Sequence, residues 1–145
     1  MNYETGNSWC YDNNPSNCDT YGRLYDWNIA LGVCPSGWHL PSDEEWTKLT
    51  GYLGGESVAG TKMKSTSDWY NNGNGDNSNG FNALPGGLRY YYGNFYALTH
   101  LAYFWSSSQY DAVYAWHRDL EFRDSIVGRY YGDKAGGFSC RCLRD

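Results

Sequence analysis

The sequence predicts an α+β domain. Two helix-period stretches come early, at 21–32 and 42–53. Strand-like runs crowd the last third, and a long turn-rich loop separates the two regions. At 145 residues and 16.5 kDa, the chain suits one domain spanning 1–145 rather than two.

Residues 1–20 read as irregular and polar. Cys10 and Cys18 bracket the turn-rich run Tyr11–Asn17, where a local disulfide would close a small loop. In 21–32, Leu24, Trp27 and Leu31 fall at helical spacing, and Gly32 is placed to end the helix in the left-handed region. A rigid connector follows, Cys34-Pro35-Ser36-Gly37-Trp38-His39-Leu40-Pro41. Ser42 then opens a second helix with Glu45 three residues later, the pattern of a capping box. Trp46, Leu49 and Leu53 form its apolar stripe, and Gly54-Gly55 ends it.

Little periodicity marks 56–94. Asn71–Gly80 is pure loop, and Phe81–Gly87 returns to the core. Short strands are predicted at 102–107, 112–121, 125–131 and 137–143. In 112–121, Val113, Ala115, His117 and Asp119 alternate with Tyr114, Trp116, Arg118 and Leu120. Period-2 alternation predicts a half-buried antiparallel strand.

Composition narrows the function classes. Leu, Ile, Val and Phe number only 22, against 7 Trp, 15 Tyr and 18 Gly. A core built from rings rather than aliphatics is expected. The net charge of −5 and the absence of a basic cluster argue against a nucleic-acid partner. No apolar run reaches the ~18 residues of a transmembrane helix. Five cysteines in so short a chain point to an oxidising compartment; a reduced chain with five thiols is the alternative. No export signal opens the sequence, so it reads as a mature chain or an excised domain of a larger surface protein.

Seven motifs occur in one order: SWCYD (8–12), YGRLYDW (21–27), VCPSGWHLPSDEEW (33–46), AGTKMKS (59–65), GFNALPGG (80–87), FWSSS (104–108) and GFSCRCLRD (137–145). They resemble the Fibrobacter succinogenes major paralogous domain, a family of bacterial exported and cell-surface modules. The resemblance covers nearly the whole chain. It implies a C-type-lectin-like fold, with two helices packed on a short-stranded antiparallel sheet with long loops. Formylglycine-generating enzymes and hypervariable receptor domains share that branch of the fold. The family pattern has a cysteine at Cys142 and an apolar residue at Cys140. It therefore implies the pairs Cys34–Cys142 and Cys10–Cys18, leaving Cys140 free. Cys140 and Cys142 would point to one face of a strand, where only one easily meets Cys34.

Catalytic patterns are weak, and no enzyme activity is expected. Formylglycine generators use a cysteine pair, which the implied disulfide would remove. No nucleophile elbow and no zinc-ligand spacing accompany His39, His100 and His117. His39 reads as a packed, hydrogen-bonded motif residue. Asp43, Glu44 and Glu45 fit the first turn of a helix. Asp119 and Glu121 share one strand face and lie too close in orientation to flank a scissile bond. Asn74, Asp76 and Ser78 lie in an oxygen-rich loop that admits a structural calcium; otherwise no cofactor is expected.

The remaining signal is aromatic. Tyr90–Tyr92, Tyr96, Tyr110, Trp116, Tyr130 and Tyr131 mix with charged residues late in the chain. Rigid amphipathic rings beside charges resemble a paratope. Tyr110, Trp116, His117, Asp119, Glu121, Arg123, Tyr130 and Tyr131 are the candidate ligand-binding residues. The expected partner is a protein or a glycan, met by a secreted or bacterial cell-surface adhesion module. A purely structural role in a surface assembly is the alternative.

Overall fold

A computed structural model describes residues Met1–Asp145. Its architecture is α+β, with four α-helices and small antiparallel sheets. β1 (Ser8–Trp9) pairs with β2 (Leu24–Tyr25). Between them lie a 3-10 turn (Tyr11–Asn13) and α1 (Pro15–Tyr21). α1 carries no apolar stripe, so residues 1–20 read as irregular from periodicity; among its residues only Cys18 is buried. Its start signals are nevertheless present, with Asn14 accepting from the Ser16 N–H and Pro15 at the first position.

The predicted helix over 21–32 is not formed as such. Gly22, at φ 82°, ends α1, and Leu24 and Tyr25 extend into β2. Both are buried, one on each side of the strand, between Trp9 and Ser8 of β1 and the Phe138 segment. Only α2 (Trp27–Ala30) remains helical, capped by Asp26 accepting from the Ile29 N–H. Gly32 is not left-handed.

α3 (Asp43–Tyr52) starts on the predicted capping box, with both reciprocal bonds made. Trp46 and Leu53 are buried, Leu49 half-buried, and Gly54 and Gly55 turn the chain with positive φ. α4 (Glu56–Met63) went unpredicted. Gly60 hides its signal, yet that glycine lets the helix approach the Ser125 backbone, whose carbonyl accepts from the Gly60 N–H at 2.8 Å.

A hairpin of β4 (Leu88–Arg89) and β5 (Phe95–Tyr96) precedes the main sheet. That sheet has the order β6 (Leu101–Gln109), β7 (Tyr114–Glu121), β8 (Val127–Asp133). The predicted strand over 137–143 instead crosses three partners. Gly137, Phe138 and Ser139 bridge Arg89, Tyr25 and Phe104, and only β9 (Leu143–Arg144) pairs regularly, with β3 (Trp38–His39). β7 is buried on both faces at His117, Arg118 and Leu120, not half-buried, because helices cover one side and the hairpin and C-terminal segment cover the other.

Two core clusters therefore sandwich the sheet. Trp46, Met63, Phe104, Leu120 and Val127 fill the helix side; Tyr25, Trp27, Leu88, Trp105 and Phe138 fill the other. Ring burial leaves indole N–H groups needing acceptors. Trp27, Trp46 and Trp105 donate to the carbonyls of Ser106, Trp105 and Tyr25 respectively, so the FWSSS strand segment anchors the aromatic core. Cys10–Cys18 and Cys34–Cys142 are bridged, and Cys140 is free and buried. No helix is long and apolar enough to cross a membrane.

Candidate functional site

The register of β7 decides which way each candidate residue faces. Trp116 lies opposite Tyr131, and His117 opposite Tyr130. Side chains alternate across a strand, so the predicted ligand set divides between two faces of one sheet.

On the helix face, Tyr110 stacks on Tyr131 at 4.2 Å and Trp116 meets Tyr110 edge-on at 5.1 Å. The Arg129 guanidinium covers the Trp116 ring at 3.9 Å. Tyr110, Tyr114 and Tyr131 are exposed here, and Tyr130, also exposed, lies on the opposite face beside His117. Trp116 is thus a packed hub, and its tyrosine neighbours present the accessible surface.

On the opposite face lies His117, the candidate ligand contact from the side of β7 away from Trp116. It is only 4% exposed, held against Tyr103 at 5.1 Å and Phe138 at 4.9 Å. Phe138 in turn stacks on Trp105 at 4.1 Å, so the ring sits above the core. Nδ1 has no hydrogen-bond partner. Burial, then the neighbouring Arg118 charge, hold the His117 pKa down to about 4, with the Arg118 backbone opposing. Asp119 faces the same side and its Oδ1 also lacks a partner. Burial, then the Glu121 charge, push its pKa up to about 6. Glu121 pairs with Arg123, which lies just past β7 over the Phe122 ring.

A second aromatic cluster sits on the turn of the β4–β5 hairpin. Tyr90 stacks on Tyr92 at 5.2 Å and meets Tyr96 edge-on at 4.9 Å, and all four of Tyr90, Tyr91, Tyr92 and Tyr96 are exposed. A cleft of 250 Å³ opens between this cluster and β8, on the face of the sheet that carries His117. Arg89, Tyr90 and Tyr91 line one side, and Tyr131, Gly132 and Asp133 the other, with Tyr103, His117 and Phe138 also contributing. Gly132 keeps it open: a Cβ there would lie 2.9 Å from the Phe138 ring and 3.3 Å from His117 Cδ2. Arg89, Tyr90, Tyr91 and Asp133 were not among the predicted site residues. The Tyr90–Tyr92 run was visible as a signal, but its packing beside β8 was not.

The other sequence candidates fall elsewhere. His39 is bracketed by Glu45 Oε1 at 3.0 Å from Nε2 and Asp145 Oδ1 at 2.6 Å from Nδ1. Hydrogen bonds to Asp145 and then Glu45 raise its pKa. This half-exposed group ties the C-terminus to α3. In the oxygen-rich loop, Asn74 Oδ1 accepts from the Trp69 N–H, and Asp76 Oδ1 from the Ser78 N–H. Those oxygens close local turns, and no group of three His, Cys, Asp or Glu side chains converges there or elsewhere. A separate cleft of 290 Å³ lies between α3 and the C-terminal segment. Its lining is mainly Trp46, Leu49 and Phe81, with Glu45 and Arg141, and it contains none of the ligand-binding candidates.

Fold and surface together define a disulfide-bonded α+β module that displays tyrosine clusters on both faces of its main sheet and a shallow cleft beside one of them. The chain belongs to the Fibrobacter succinogenes major domain family, which matches residues 1–144. Neither the curated proteins nor the solved structures held a match to it.

Proposed function

We propose that the chain is an exported, cell-surface binding module of C-type-lectin-like fold that recognises a protein or glycan and has no catalytic role of its own. The observation that carries this reading is the concentration of exposed tyrosines, Tyr90–Tyr92 and Tyr96 on the β4–β5 hairpin and Tyr110, Tyr114, Tyr130 and Tyr131 in and beside β7–β8. Exposed rings of this number are costly to leave in water without a use, and tyrosine supplies contact area with little loss of side-chain entropy. Export is supported by the two disulfides and by the family. Absence of catalysis is supported by the pairing of Cys142 with Cys34, which leaves Cys140 without a cysteine partner.

Capture on arrays of glycans and of bacterial envelope and host proteins tests the proposal. The expected result is selective capture that is lost in the double variant Trp116→Ala, Tyr131→Ala. Capture unaffected by the double variant would remove the site assignment. Absence of any capture, with homotypic association in light scattering, would favour the structural role instead.

A further inference from the structure

We propose that the cleft between β8 and the Tyr90–Tyr92 turn holds one neutral pyranose residue of a glycan. The inference rests on the recognition role proposed above and specifies its ligand class. Size is the first argument. Pockets for drug-sized ligands run to about 300–1,000 Å³, and 250 Å³ accommodates a single ring better than a chain.

Chemistry is the second. Tyr90, Tyr91, Tyr103 and Phe138 line the cleft with aromatic surface, which suits the C–H face of a sugar. His117 brings an imidazole that is neutral at pH 7, with one N–H donor and one acceptor nitrogen. A hydroxyl group both donates and accepts, so it matches either tautomer.

Charge is the third. Arg89 and Asp133 are the only formally charged residues lining the cleft, and their signs cancel. Each is already engaged, Arg89 over the Trp9 ring at 3.9 Å and Asp133 Oδ1 accepting from the Ala135 N–H. A lining whose formal charges sum to zero favours a neutral ligand over an anion or a cation. A proline-rich peptide also favours tyrosine surfaces, but its rings carry no hydroxyl for the imidazole and it needs an extended groove.

The test uses the intact chain and NMR of the His117 imidazole and the tyrosine rings. Methyl glycopyranosides of glucose, galactose, mannose and N-acetylglucosamine serve as probes, with decaproline as the competing ligand. At least one glycoside is expected to shift the His117 and Tyr91 signals with a dissociation constant in the millimolar range, as a one-ring ligand permits. Tyr91→Ala, at an exposed position that does not threaten folding, is expected to weaken binding about tenfold or more, whereas Tyr52→Ala on α3 leaves it unchanged. Unshifted cleft signals with all four glycosides would overturn the pyranose assignment, and so would shifts produced by decaproline alone. The recognition role would survive either result if array capture remained sensitive to Trp116 and Tyr131. Glycoside binding indifferent to Tyr91→Ala would move the sugar away from this cleft and overturn the inference.

Discussion

Arg118 on β7 and Asp43 at the start of α3 form an ion pair in which the guanidinium is sealed from solvent. The same guanidinium donates to the Thr47 hydroxyl at 3.0 Å and to the Asp43 carbonyl. The half-exposed Arg129 closes on the other carboxylate oxygen of Asp43 at 2.7 Å. Helix and sheet are thereby clamped through one carboxylate, directly below the Trp116–Tyr131 cluster.

Removing that carboxylate leaves Arg118 buried and unpaired. Asp43→Asn is expected to cost about 3–5 kcal/mol in urea unfolding at pH 7. Burial raises the Asp43 pKa, but Arg129 and Arg118 outweigh it and the net shift is downward. The clamp is therefore fully present above the ordinary aspartate value and lost as pH falls through the lower folded value. A wild-type stability profile with no loss on that acid side would contradict this.

Asp119 and His117 act against each other with pH. The Asp119 pKa is raised to about 6, so its contribution is present below the unfolded value of 3.8 and is lost as pH rises through about 6. The His117 pKa is lowered to about 4, so its contribution is present above 6.5 and is lost as pH falls toward 4. Between pH 4 and 6 the two slopes oppose. Asp119→Asn is expected to stabilise the fold at pH 7 by roughly 2 kcal/mol. It should also leave a steep loss of stability below pH 6.5 that the wild type lacks. Thermal melts across that range decide the matter.

His39 titrates at the C-terminus. Its pKa is raised by Asp145 first and Glu45 second, so the tie is complete below the ordinary value of 6.5 and is lost as pH rises through the higher folded value. An NMR titration should place His39 above 6.5, and Asp145→Asn should lower the midpoint. Hydrogen-exchange protection of β3 and β9 should weaken on the alkaline side.

The disulfides divide the stabilisation unequally. Cys34–Cys142 spans 108 residues and Cys10–Cys18 spans 8. Replacing the long bridge by a serine pair should cost about 4–5 kcal/mol, and replacing the short one about 2–3 kcal/mol, on the chain-entropy account. Burial pushes the Cys140 thiol up to about 12, so native protein should resist alkylation and denatured, unreduced protein should label once. Three labelled thiols would remove the stapled scaffold.

Local rules made α3 legible, since Ser42 and Glu45 satisfy each other within one turn and need no tertiary partner. Ordered motifs made the family and its cysteine pairing legible. α1 was not legible because its one buried contact is a disulfide, and α4 because its buried stripe is only Ala59 and Met63 around a glycine's close approach.

By itself the sequence determined an α+β, ring-rich domain with late antiparallel strands. It also identified the tyrosines and charges of β7 and β8 as candidates for recognition. Tertiary structure alone decided that these residues divide between two faces, that His117 is buried, and that the Tyr90–Tyr92 turn completes a cleft with β8. The physical reason is range. Alternation along β7 depends on neighbouring residues, but which face is covered depends on a helix and a hairpin that meet the sheet from distant parts of the chain.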